Sequence, residues 1–262
     1  MPGADPRAHT VAARSGADVI ILELEDFTPP ELRARARAMS PDALNQWRKA
    51  GALAAVRINP LETCGLEDLM GVVAARPDMI LMSKVITPEQ VKSLEEATGG
   101  TVDLVPNVES AAGLLRTFDI ARASRRVTAV LVASEDMVAD LGTERTRRGR
   151  ELDYVRSRFL VECRAAGVEA IDAPYTFSDV EGAVNDARRS KRLGYRMKSL
   201  VDPSHAKAIN RVFTPTRAQV QKARRIVAAF EKARAAGKDR AKVDGALIEV
   251  PIYAAAKRLL GD

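Results

Sequence analysis

The chain has 262 residues, 46% hydrophobic and only 4% aromatic, enough apolar material for one large core or two small ones built mainly of Ala, Val, Leu and Ile. Charged residues reach 29%, with 41 basic against 35 acidic and a formal net charge of +6, too much charge for a membrane protein and too balanced in sign for a disordered one. No apolar run approaches the roughly 18–20 residues of a membrane span, the N-terminal MPGADPRAHT lacks the apolar stretch of a signal peptide, and two cysteines, Cys64 and Cys163, cannot build a disulfide scaffold; a cytoplasmic protein without membrane partners is expected.

Short β-rich runs alternate with amphipathic stretches. VIILELED (19–26) reads as a strand and ELRARARAMS (31–40) as a helix. LAAVRINP (53–60) is the next strand, followed by a helix over 66–75. MILMSKV (79–85) precedes the helix PEQVKSLEEA, with Pro88 in its first turn. VDLVPNVE (102–109) precedes AAGLLRTFDIARA, read as one helix. VTAVLVASED (127–136) leads to a long helix over 152–166 that ends at Gly167. VEAIDAP (168–174) leads to a helix over 180–193 that ends at Gly194, and MKSLVDP (197–203) is the seventh strand. Nearly continuous apolar strands suit a parallel sheet buried on both faces. The alternation predicts an α/β fold, a (β/α)8 TIM barrel. A doubly wound open sheet is the rival; no G-x-G-x-x-G follows the first strand, which weakens a dinucleotide-binding version. Beyond Thr216 the pattern changes to a long helix closed by Gly237, a strand or hairpin in KVDGALIEVP, and a final helix IYAAAKRLL. Residues 1–216 are expected to form the catalytic barrel and 217–262 a C-terminal helical extension or lid.

Polar residues gather at the strand ends: Glu25 and Asp26, Arg57 and Asn59, Lys84, Glu109, Glu135 and Asp136, Asp172, and Asp202. In a parallel barrel these ends open on one face, where active sites form. Glu109 and Asp136 have no His or Cys nearby, so they suit a hard cation such as Mg2+ with oxygen ligands; each could equally cap the helix that follows. Arg57 lies inside the apolar AAVRINP and must be paired, either in an internal salt bridge or as a fork gripping a substrate carboxylate or carbonyl. His9 and His205 are the only histidines, and neither belongs to a plausible triad or zinc cluster. The acids around Lys84 should hold it charged, which disfavours a Schiff-base role. The basic runs RTRRGR (145–150) and RRSKR (188–192) lack interleaved aromatics, so no nucleic-acid partner is expected. They read as solvated helix faces or as a patch for an anionic small molecule such as a nucleotide-bearing thioester.

The segments SGADVIILELEDFTPPE, VRINPLET, PNVESAAGL, ASEDMVADLGTERT with the following ELDYVRSR, AGVEAIDAPY and KSLVDPSHAKAINRVFTPT occur in order across nearly the whole chain. Together they resemble the citrate lyase β-subunit-like family of the HpcH/HpaI aldolase/citrate lyase superfamily. The resemblance implies a homotrimeric (β/α)8 barrel that uses Mg2+ to cleave or form a carbon–carbon bond. The substrates implied are citryl, malyl or citramalyl thioesters of CoA or an acyl carrier, with a 2-oxo acid or acetyl-CoA as partner. Carried over by motif, Glu109 and Asp136 match the metal ligands and Arg57 the substrate-binding arginine, with Glu109 also beside the substrate. Glu25 and Asp26 match an acidic pair. Arg57, Asp26 and Glu249 are the expected catalytic residues.

Four departures qualify the match. The family's first strand, before the Pro-Gly pair, is missing from this chain, which begins Met1-Pro2-Gly3; Met1 is expected to be an internal residue of a longer reading frame, and an in-frame stop codon immediately upstream would refute that. The family tail D-G-K-M-[IV]-D-x-P reads DGALIEVP, so Glu249 stands at the acid/base Asp and Ala246 at the Lys. Asp202-Pro203 replaces a His-Pro, and Glu23 replaces the first Asp of L-D-L-E-D, with Ser110 for a common Thr. The tail and Asp202 changes imply an altered substrate. A second reading is a catalytically weak paralogue that binds an acyl-CoA or 2-oxo acid as a sensor or partner subunit.

Overall fold

The structure, a computed structural model, describes residues 1–261 and divides into two compact units, Met1–Phe213 and the residues from Thr214 onward. Among the described residues no helix is long and apolar enough to cross a membrane.

In the first unit, helix α1 (Pro6–Ala13) precedes strand β1 (Val19–Glu23), α2 (Arg33–Lys49), β2 (Leu53–Ile58), α3 (Leu66–Val72), β3 (Met79–Met82), α4 (Pro88–Ala97) and β4 (Asp103–Val108). Then come α5 (Ala111–Leu114), α6 (Thr117–Arg122), β5 (Ala129–Val132), α7 (Glu135–Asp140), α8 (Asp153–Ala166), β6 (Glu169–Asp172), α9 (Val180–Leu193), β7 (Met197–Lys198) and α10 (Ala206–Phe213). The seven strands form one sheet in the order β1 to β7, every pair parallel. A doubly wound sheet reverses its order at a switch point. This one never does, so it is a half-barrel of the TIM-barrel type. Along the outer side of β1, Pro2 makes an isolated parallel bridge with Glu23.

Side chains alternate between two cores, as the two-residue period of a strand requires. Leu22, Val56, Ile80 and Val130 join the large core that also holds helix residues. Ala55, Leu81, Val105, Ala129 and Leu131 form a smaller inner core with Val19, Ile21 and Ile171. Carrying the inner face forward by twos leads from Ile21 to Glu23 and Glu25, from Ala55 to Arg57, and from Val105 to Asn107 and Glu109.

The structure departs from the pattern reading in local places. The single helix read over AAGLLRTFDIARA is two, α5 and α6. A Cβ on Gly113 would come within 2.7 Å of the Val85 carbonyl oxygen, which fixes a close approach of α5. Thr117 Oγ1 donates back to the Gly113 and Leu114 carbonyls at 3.3 and 3.0 Å, competing for acceptors that a continuous helix would use. The helix read over 31–40 runs on to Lys49 through Pro41. Leu44 and Trp47 are fully buried beyond the proline, and that burial outweighs its cost of about 3 kcal/mol.

After α7, Glu151 organises a loop. It accepts hydrogen bonds from the Thr146 backbone N–H (2.8 Å), the Thr146 hydroxyl (2.7 Å) and Arg145 Nη1 (2.9 Å). Burial pushes its carboxyl up, but the Thr146 and Arg145 donors outweigh this and hold it down at about 2. A depressed carboxyl stabilises the fold above its unfolded value of 4.5, and the contribution is lost as pH falls through about 2. Glu151→Gln is expected to cost about 1–3 kcal/mol at neutral pH. In urea melts at several pH values, the gap from wild type should narrow as pH falls below 4.5.

The second unit, taken by itself, has helix α11 (Arg217–Ala235), a hairpin of β8 (Ala241–Val243) and β9 (Ala246–Ile248), and helix α12 (Val250–Leu260). Asp244 and Gly245 both have positive φ (49° and 80°), as a tight two-residue hairpin turn demands. Ile226, Phe230 and Ile248 form its core, with Tyr253 stacked on Phe230.

Candidate active site

Arg57 leaves β2 on the inner face and meets three acids. Its Nε pairs with Glu23, its Nη2 lies 3.3 Å from Glu25 Oε2, and its Nη1 lies 3.7 Å from Glu109 Oε1. All three glutamates are buried. Burial alone would lower the arginine's pKa, but the three carboxylates reverse this and raise it. Lys84, which follows β3 in a left-handed conformation (φ 55°), pairs with Glu25 and lies 3.4 Å from Asp26. Against the cost of burial, those acids raise the pKa of Lys84, so it is a fixed cation and not a free amine.

The charges do not balance. Among the described residues Glu23, Glu25, Asp26, Glu109 and Asp136 face two cationic side chains, Arg57 and Lys84, and Glu23 also acts on the Met1 amino group, whose pKa burial lowers to about 6. Burial, reinforced by Asp136 and Glu25, pushes the Glu109 carboxyl up to about 8 despite Arg57. Burial raises Glu25 as well, with Lys84 opposing. Both Glu109 carboxyl oxygens, Glu25 Oε2 and both polar atoms of Asn107 are buried without a hydrogen-bond partner. Buried carboxylate oxygens left without hydrogen bonds cost roughly 1–3 kcal/mol or more, so this arrangement suits an added cation or donor.

The residues singled out in the sequence do not all meet. Arg57, Glu25 and Glu109 share one cluster, and Asp26 joins it through Lys84. Asp136 sits in the first turn of α7, where the helix dipole favours an acid, and its charge is felt at Glu109 and Lys84. Glu109 caps nothing: Ser110 is the residue that accepts from Gly113 N at the start of α5. Glu249 belongs to the second unit, exposed at the N-cap position of α12 and making no side-chain cap bond. Asp202 caps the turn after β7 by accepting from Ser204 N (2.9 Å). Asp172 shares the parity of buried Ala170 and pairs with Arg156 and Lys198, outside the Arg57 cluster. Asn59 donates to the Leu24 carbonyl and Asp68. Pattern reading treats Glu23 as a mild change and passes over Asn107; the two-residue period from Ile21 and Val105 is the signal that finds both. Among the described residues no three His, Cys, Asp or Glu side chains converge as a metal cluster, so a cation held here would take its remaining ligands from water or a bound oxygen compound.

The fold and site define a barrel-type α/β protein whose chemistry-bearing side chains, acids around a buried arginine, lie at the carboxyl ends of parallel strands. Residues 1–203 match the HpcH/HpaI aldolase/citrate lyase family, and the chain belongs to it. The citrate lyase subunit beta of Leuconostoc mesenteroides subsp. cremoris is 30% identical, covering 99% of this chain and 90% of that protein. The L-malyl-CoA/beta-methylmalyl-CoA lyase of Cereibacter sphaeroides is 32% identical, covering 95% and 88%. Among solved structures, the protein CitE of Mycobacterium tuberculosis in complex with magnesium, acetoacetate and coenzyme A is similar with a TM-score of 0.79, 26% identity, and coverage of 100% of this chain and 95% of that one.

Proposed function

We propose that this protein is a Mg2+-dependent carbon–carbon lyase that cleaves or forms a 3-hydroxyacyl thioester of the citryl, malyl or citramalyl type, with a 2-oxo acid or acetyl-CoA as partner. The observation that carries the reading is Glu109, whose two oxygens are buried without a hydrogen-bond partner and whose only ion-pair contact among the described residues is Arg57 at 3.7 Å. An oxygen-only donor pair, Glu109 and Asp136, fits a hard divalent ion. When bound, the ion would supply Lewis-acid activation of an oxygen of the oxo acid.

The chain's own residues supply the rest. Glu23 and Glu25 pin the Arg57 guanidinium, so its fork is set before a ligand arrives. Cleavage sends the electron pair of the broken bond onto an enolate oxygen, and a fixed cation there is worth roughly 3–4 kcal/mol of barrier. A carboxylate must take the hydroxyl proton as the bond breaks and return one to the enolate carbon. Asp26, half-exposed and held by Lys84, is one candidate; Glu249 is the other, on the strength of its tail motif alone. The complete eight-stranded barrel, a homotrimer and a lid role for the second unit belong to the same proposal.

The test is release of a 2-oxo acid from a panel of malyl, citramalyl and citryl thioesters by purified protein with Mg2+. Calorimetry should show Mg2+-linked uptake of pyruvate or oxaloacetate, and Glu109→Gln should reduce it at least about tenfold. Failure of both would end the proposal. The second reading, a weak paralogue that binds without turnover, draws on Glu249, a residue one methylene longer than the family's Asp. A misplacement of about 1 Å can cost roughly 100-fold in rate. Binding without turnover, indifferent to Glu249→Ala, would favour it.

A further inference from the structure

Helices α9 and α10 pack through Ala183, Ala187 and Ile209. Between their outer faces lies a cleft of about 550 Å3. Its basic wall is Arg188, Lys191 and Arg192 on α9 and Arg211 on α10, and its floor is apolar, including Val184 and Ala208. Positions 184, 188, 191 and 192 fall on one helical face, as do 208 and 211. The run RRSKR therefore does not spread its charge evenly around the helix; three of its four cations converge on one hollow.

The partners of these cations matter more than their number. Lys191 Nζ donates to the Val212 carbonyl at 2.6 Å, at the end of α10. Arg188 Nη1 reaches only the neutral Asn185 side chain, at 3.2 Å. Among the described residues no carboxylate lies within salt-bridge distance of Arg188, Arg192 or Arg211, although Arg37, Arg48, Arg145, Arg147 and Arg156 each have one. Among the described residues no acid lines the cleft. Like charges four residues apart on a helix oppose folding, and a guanidinium fork matches phosphate geometry. The volume falls within the range of small-molecule sites.

We propose that the α9–α10 cleft is a binding site for a small anion carrying two linked phosphates, its phosphoryl oxygens held by Arg188, Arg192 and Arg211. The site lies on the helical layer and does not involve the Arg57 cluster, so the inference does not depend on the lyase reading. The shared chemistry is a diphosphate; its source is free pyrophosphate or a nucleoside diphosphate whose base covers Val184 and Ala208.

Titration calorimetry of the full chain with sodium pyrophosphate and with ADP, in metal-free buffer of about 50 mM salt, tests it. Saturable binding is expected, tighter than for inorganic phosphate. Replacing Arg188, Arg192 and Arg211 together by Ala should weaken it at least about tenfold. Replacing the exposed Arg14, Arg35 and Lys49 by Ala removes the same net charge and should leave affinity within about twofold. Tighter ADP binding identifies a nucleotide as the source; equal affinity identifies the free diphosphate. Absence of binding at millimolar concentration overturns the proposal. So does equal binding by the Arg188/Arg192/Arg211 variant, or binding lost in Arg57→Ala yet kept in that variant.

Discussion

Arg57→Ala is expected to lose at least about 100-fold in turnover and about 3–5 kcal/mol of stability at neutral pH. The two losses have one cause. The guanidinium is the shared partner of three buried glutamates, Glu23, Glu25 and Glu109, and without it their carboxylates repel one another where burial limits screening by water. Protonation of Glu25 or Glu109, whose carboxyls burial already pushes up, would relieve the repulsion. Acids with raised folded pKa values favour the fold at low pH and lose that advantage as pH rises, so the penalty in urea melts should be larger at pH 8 than at pH 5. Arg57→Lys should restore part of the stability while leaving turnover low, because an ammonium cannot present a planar fork. Wild-type melting with turnover within threefold would mean that Arg57 is neither anchor nor ligand contact.

The second large effect lies outside the Arg57 cluster. Arg156 Nε donates to Asp172 Oδ1 and Arg156 Nη1 to Asp186 Oδ1, both at 2.8 Å. Lys198 Nζ lies 3.0 Å from Asp172 and 2.5 Å from Asp186, and Ser190 donates to Asp172 at 2.6 Å. Two acids and two cations balance, all essentially out of water. The network ties the end of β6 to α8, α9 and β7. Asp172→Ala would strand Arg156 and Lys198 on Asp186 alone, at an expected cost of about 3–5 kcal/mol and a fall in Tm of roughly 10 °C. Burial pushes the Asp172 carboxyl up, but Lys198 and Arg156 outweigh it and hold it below the usual range. Its contribution is thus present above the unfolded value of 3.8 and lost as pH falls through the lower folded one. Any folded fraction should take up Mg2+ to the same extent as the wild-type chain, because the network does not touch the Arg57 cluster on which the proposed site rests. A loss under about 1 kcal/mol would show the network to be replaceable by water.

Local pattern and long-range pairing explain what was legible beforehand. The strands are apolar runs bounded by turn residues, and each is found within a few residues of its place; the shortest, β7, keeps only Met197 and Lys198 of the run 197–203. That Arg57 must be paired follows from its place in an apolar strand. Its partners could not be counted, because they come from β1 and from the end of β4. Glu23 looks like a small change from Asp in a short motif, yet it is the acid that grips Arg57 Nε. Asp172 ends a strand like the other acids, but its partners are 16 and 26 residues away and take it to the opposite face. The break between α5 and α6 depends on a close approach at Gly113 that no helical periodicity encodes.

The odd–even division of side chains along the strands has a consequence for how this protein can change. Loops at the strand ends can grow or shrink, and single side chains can be exchanged, without disturbing the remainder. Removing one residue from the middle of β4 cannot be absorbed in that way. It would send Asn107 and Glu109 into the greasy layer beneath the helices and turn Val108 toward the acids, so lineages of this chain should vary in side chains and in loop length while the strand interiors keep their count.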